Sequence, residues 1–156
     1  MLLPDQDRSR WRADEVAEAL GLLTPWVSGA DPGTPYLLEA LIAAEHAVAP
    51  TAAATAWPRI AGLYAELEAV TGSQVVRLNR AVAVAEADGP LAGLGLLDGL
   101  ELPGNHRLPA VRGELLARAG RRAEAVVALD EALALCGNEV ERRFLERRRS
   151  DLEDLT

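Results

Sequence analysis

The sequence predicts an all-α protein, a stack of helical hairpins with about eight helices and no strands. Three observations lead there. The first is an internal repeat: residues 78–109 slide onto the following stretch by 32 positions without a gap, so that Arg80 falls on Arg112, Ala85 on Ala117, Ala87 on Ala119, Leu97 on Leu129 and Asp98 on Asp130. The second is composition. Of the 156 residues, 49% are apolar but only 4% aromatic, so the interior must be built from Ala, Leu and Val. Such a mixture suits close-packed helices better than a β-sandwich, which draws on aromatic and β-branched residues. The third is periodicity: apolar residues recur at i, i+3, i+4 and i+7 between breaks marked by Gly and Pro.

Residues 1–11, MLLPDQDRSRW, carry no helical stripe and are expected to form a charged lead-in; the helical domain then covers 12–156. Val16, Ala19, Leu20 and Leu23 make one apolar face over 12–23, which Pro25 should stop. SGADPG, 28–33, reads as a loop. Thr34 and Pro35 predict the next start, Thr as N-cap and Pro at the first helical position, with Leu37, Ala40, Leu41, Ala44 and Val48 facing inward until Pro50. Ala52 to Ala54 are ambiguous. Trp57 and Pro58 restart a helix with the stripe Ile60, Leu63, Tyr64, Leu67 and Val70, ended by Gly72, with Ser73 as the following N-cap.

The first clear repeat opens with a helix over 75–87, turns at Gly89 and Pro90, and returns through a segment weakened by Gly93, Gly95 and Gly99. Those three glycines cost on the order of 2–3 kcal/mol against alanine, which packing must offset. Residues 101–107 form a loop, and 109–119 and 121–136 make the second repeat, ended by Gly137. Asn138 starts the last helix, with Glu141 three residues on in capping-box position and Val140, Phe144 and Leu145 on its apolar face.

Small residues recur where two helices would cross. Ala81 aligns with Gly113, Gly93 with Ala125, and Leu100 with Ala132. A hairpin of about 34 residues with small side chains at the crossing is similar to a tetratricopeptide repeat (TPR). Gly120 to Ala125 reads as the usual turn and second-helix start of such a unit. The expected architecture is therefore a TPR-like, right-handed stack closed by a polar-backed last helix.

The net charge of −8 repels a phosphate backbone, so direct nucleic-acid binding is not expected. A single cysteine, Cys136, excludes an internal disulfide framework and suits a reducing cytoplasm. No apolar run approaches the roughly 20 residues of a membrane span, and the N-terminus shows no basic-then-apolar signal pattern.

Residue chemistry offers no catalytic constellation, and no cofactor is expected. His46 and His106 show no metal-ligand spacing, Cys136 reads as a core residue at a helix end, and GPLAGLGLLDG places its glycines inside a repeat helix with no strand before it. The candidate sites are for a polypeptide partner. Arg8 and Trp11 sit in a dense patch that is either a docked interface or a tryptophan lid over the first helix. Asn79, Arg80 and Arg112 lie on first helices of hairpins, the side that lines the inner surface of a TPR stack. There an Asn–Arg pair could clamp a peptide backbone or carboxylate, unless Arg80 pairs with Glu86 or Glu114. Arg142, Arg143 and Phe144 mark the last helix. Five arginines there face six carboxylates, which reads as a salt-bridged solvated face or a protein contact.

DQDRSRW (5–11), PYLLEALIAAEHA (35–47), VVRLNRAVAVAEADGPLAGLGLLD (75–98) and GNEVERRFLERR (137–148) occur in this order and at similar spacing in one family. In this respect the chain resembles the C-terminal TPR-like extension of bacterial extracytoplasmic-function (ECF) RNA polymerase sigma factors, over nearly its whole length. The resemblance implies a regulatory protein-interaction domain that supports transcription initiation by contacting the sigma factor's promoter-reading domains or the polymerase core. It also implies that those promoter-reading domains are absent from this chain and that Met1 is a truncated start. A free-standing TPR-like adaptor for a peptide or protein is the alternative. The chain departs from the family at Pro25 and the SGADPG loop, and at Asn105, His106 and Pro109, where the family tends to carry aromatic and histidine residues.

Overall fold

The computed structural model describes residues 34–154, together with 14–16, 18, 21 and 22, which are helical. The predicted helix over 12–23 is thus seen in part, and Pro25 and the 28–33 loop lie outside the described residues. The described residues are all-α: seven α-helices beyond those N-terminal helical residues, one short 3₁₀ turn and no strand. They form successive helical hairpins, as the repeat predicted. Packing divides the chain into two compact units, Met1–Val76 and Arg77–Thr156.

In the first unit, α1 (Pro35–Val48) packs against α2 (Trp57–Thr71). Pro35 occupies the first turn as expected, but Thr34 makes no side-chain cap bond; its carbonyl accepts from the N–H groups of Leu37 and Leu38 at 3.0 and 3.2 Å. The buried stripe of α1 is Leu37, Leu38 and Ile42, rotated from the expected one, and Val48 is exposed. Apolar residues line more than one side of this helix, and the buried face is centred on Leu38 and Ile42, with Leu37 shared with the expected stripe. The ambiguous alanines form the 3₁₀ turn Ala52–Ala54, held by the Ala54 N–H donating to the Thr51 hydroxyl at 3.2 Å. Ile60 and Leu67 anchor α2, while Val70 is exposed near its end. Gly72 ends α2 in the left-handed region, φ 62°, with its N–H donating to the Glu68 carbonyl at 2.8 Å. That conformation costs glycine nothing.

The next helix, α3 (Gln74–Asp88), follows at once, and the Ser73 hydroxyl accepts from the Val76 N–H at 3.4 Å, the predicted cap. The second unit holds the rest of α3 and four further helices: α4 (Pro90–Leu97), α5 (Arg107–Arg118), α6 (Arg122–Leu135) and α7 (Glu139–Glu153). Two apolar clusters organise it. One gathers Leu78, Ala81, Ala85, Leu97, Leu100, Leu108 and Leu115. The other gathers Leu116, Ala125, Ala128, Leu129, Ala132, Cys136, Leu145 and Leu152. Leu115 and Leu116, adjacent on α5, each enter a different cluster, so α5 is the shared wall between consecutive hairpins.

The small residues do what their spacing predicted. A Cβ added at Gly93 would lie 2.6 Å from both the Ala81 carbonyl oxygen and the Ala85 Cβ, and 3.0 Å from Leu115 Cδ1. A Cβ at Gly113 would lie 2.9 Å from Leu129 Cγ and 3.2 Å from the Ala125 carbonyl oxygen. The aligned pairs Ala81–Gly93 and Gly113–Ala125 are thus the contact points of two equivalent crossings. Only the helix that carries the glycine changes. Gly99 is not part of α4, which ends at Leu97; it is a turn residue at φ 73°.

The last helix also differs in detail from expectation. Asn138 caps it, its side-chain oxygen accepting from the N–H groups of Val140 and Glu141 at 2.9 and 3.2 Å. Val140, however, is 75% exposed, and the buried pair is Leu145 and Leu152, two turns apart. Val140 lies in the first turn, ahead of the stretch of α7 that reaches the second cluster.

Candidate interaction surface

The first helices of consecutive hairpins are α3, α5 and, by position in the series, α7. Each is tied to the next by a guanidinium–carboxylate pair. Arg118 of α5 reaches Glu86 of α3 at 2.5 Å and also donates to the Ala85 carbonyl at 3.2 Å. Arg148 of α7 forks onto Glu114 of α5 at 2.8 and 3.2 Å. The partners are separated by 32 and 34 positions, one repeat length, so these bonds form a ladder along the first helices. The hydrogen bond to Glu114 raises the Arg148 pKa above its ordinary value, against a smaller opposing effect of burial. On the far side Arg149 binds Asp130 of α6 at 2.5 Å and Glu153 at 2.8 Å.

Asn79, Arg80 and Arg112 lie on this same set of helices and are half-buried. Arg80 and Arg112 occupy equivalent positions of successive repeats. The two carboxylates weighed as partners of Arg80 are engaged by Arg118 and Arg148.

Other predicted site residues have structural work. The Arg142 guanidinium donates to the Cys136 carbonyl at 2.6 Å and so satisfies the C-terminal end of α6. Arg77 does the same for α4, donating to the carbonyls of Leu96 and Asp98 at 2.8 and 3.1 Å. Phe144 packs against the second apolar cluster. Arg143 is exposed and pairs with Glu139 one turn away at 3.1 Å. Arg8 and Trp11 lie outside the described residues.

No family model matches the chain, and no solved structure matches it. Among curated proteins, it is similar to an uncharacterized protein of Rhizobium meliloti (strain 1021), with 41% identity over 147 residues. The match covers 93% of this chain but 34% of that protein. The chain therefore spans about a third of the length of the curated relative it matches. No helix among the described residues is long and apolar enough to cross a membrane.

Sequence reasoning missed one grouping. His106 stands at the N-terminal end of α5, Cys136 at the C-terminal end of α6, and Glu141 in the first turn of α7. An antiparallel hairpin brings the start of α5 to the end of α6, and the short link to α7 adds a third helix end. His106 Nε2 lies 2.7 Å from Glu141 Oε2, and one donor atom from each of the three residues falls within 4.8 Å of the others. Glu141 thus turns to His106, where the capping-box expectation had it returning to the Asn138 N–H. With its members spread along the chain from 106 to 141, the group has no compact motif to be read.

Proposed function

We propose that this chain is the regulatory interaction module of an ECF-type RNA polymerase sigma factor. It would act in the cytoplasm as a TPR-like stack that contacts the promoter-reading domains or the polymerase core, with no reaction of its own. The observation that carries the reading is the match to a bacterial protein about three times the length of the matched span. Nearly all of this chain corresponds to one part of a larger protein, as expected of an extension. The ordered motifs DQDRSRW, LNRAVAV and NEVERRFL supply the family.

The surface fits a polypeptide partner. The ion-pair ladder joins the first helices, and Asn79, Arg80 and Arg112 lie half-buried on two of them. Such groups bind backbone carbonyls or carboxylates of a peptide. The net charge of −8 disfavours DNA as the ligand.

The test is reconstituted transcription with the intact sigma factor, beside capture of core polymerase and of the promoter-reading half by this chain. Arg80→Glu and Arg143→Glu should lower transcription and capture at least about tenfold, the loss of about 1.4 kcal/mol of contact, with circular dichroism unchanged. Arg142 is the wrong probe, because its guanidinium closes α6. Full transcription from both variants, with neither polypeptide captured by the parent chain, would reject the reading in favour of a free-standing adaptor.

A further inference from the structure

We propose that His106, Cys136 and Glu141 form a binding site for a divalent metal of the zinc class, one that clasps three helix ends. The inference stands apart from the sigma-factor reading and either can fail alone. It rests on three converging donors of different kinds: an imidazole nitrogen, a thiol sulfur and a carboxylate oxygen, all within 4.8 Å.

The donor set selects the metal. Calcium and magnesium take oxygen ligands and avoid thiols, whereas borderline ions such as zinc accept nitrogen, sulfur and oxygen together. Metal–ligand bonds of about 2.0–2.3 Å in a tetrahedron place donor atoms roughly 3.3–3.7 Å apart. The longest separation here closes by about an ångström, and the 2.7 Å His106–Glu141 contact opens by less. Glu141 is the exposed member, on the first turn of α7, so its side chain can open the 2.7 Å contact to His106. His106 is half-buried and Cys136 buried, which shields the metal–sulfur bond on the protein side.

Cys136 Sγ now donates to the Asn138 carbonyl at 3.4 Å, and binding exchanges that proton for the metal. One metal ion enters and the thiol proton leaves to solvent. A thiolate and a carboxylate then neutralise the two charges of the ion, with imidazole neutral and water in the fourth position. The Arg142 guanidinium, on the Cys136 carbonyl at 2.6 Å, fixes the backbone that carries the sulfur. Because the thiol must lose its proton, affinity falls as pH is lowered.

The experiment uses the full chain stripped with chelator and titrated with cobalt(II), then with zinc. Expected are one metal per chain, a near-ultraviolet thiolate-to-cobalt charge-transfer band, its loss on zinc addition, and a raised melting temperature with zinc. Cys136→Ser should abolish the band. His106→Gln, at a half-buried helix end, should weaken binding about tenfold or more while leaving the circular dichroism unchanged. Absence of the band at stoichiometric cobalt overturns the proposal. So does a zinc-induced melting shift of undiminished size in either variant, because the metal would then be held elsewhere.

Discussion

At Gly93 one hydrogen is all that the crossing of α3 and α4 accommodates. The atoms a methyl group would meet are a backbone carbonyl and a Cβ, neither of which can swing aside. Gly93→Ala should therefore cost about 2 kcal/mol, overpacking outweighing the gain in helix propensity. Gly113→Ala meets mainly the Leu129 side chain and should cost about 1 kcal/mol. Gly95, on the same helix as Gly93, has nothing within 4 Å of an added Cβ, so Gly95→Ala should stabilise by about 0.5–1 kcal/mol. Urea midpoints at constant m-value rank the three, and a stabilised Gly93→Ala protein would contradict the crossing geometry. The repeat alignment placed Gly93 and Gly113, and not Gly95, at the crossings; how closely the second helix approaches ranks the two.

Tyr64 allows a second residue-scale prediction. Burial, with a smaller contribution from the nearby Glu39 carboxylate, raises its phenol pKa above the ordinary 10.0. The folded state thus holds this proton more tightly than the unfolded chain. The associated stability is complete below about pH 10 and is lost as pH rises through the folded value. Tyr64→Phe should flatten the alkaline decline in melting temperature relative to the parent chain. An identical decline in both would remove Tyr64 as its source.

At the scale of elements, helix starts and stops were largely legible because they are local. Pro35, Gly72, Ser73 and Asn138 act within a few residues of themselves, and each marks a boundary where expected. Inward faces were less legible where a helix carries apolar residues on more than one side, as α1 does, or extends past its partner, as α7 does at Val140. The basic tail shows the same division. Its arginines were read as a salt-bridged face, and the pairs Arg143–Glu139 and Arg149–Glu153 follow from helical spacing. The bonds from Arg148 to Glu114 and from Arg149 to Asp130 do not, since they join separate helices. Glu86–Arg118 and Glu114–Arg148 are about a third to two-fifths exposed, so solvent screens them. Double-mutant cycles should give each pair a coupling of about 0.5–1 kcal/mol, shrinking in about 1 M salt. A coupling near zero for both at low salt would mean the ladder holds no register.

Across the whole molecule, what the amino-acid order determined alone was everything with a short period or a fixed composition. Helicity, the 32-residue repeat, the small residues at the crossings and the acidic balance all belong here. They are properties of neighbouring residues or of sums, and no folded partner is needed to read them. Tertiary structure decided which glycine is indispensable, which guanidinium meets which carboxylate, and that His106, Cys136 and Glu141 share one corner. Those outcomes depend on how close two helices come and which ends meet. Side chains 30 or more positions apart learn of each other only when the intervening hairpin closes.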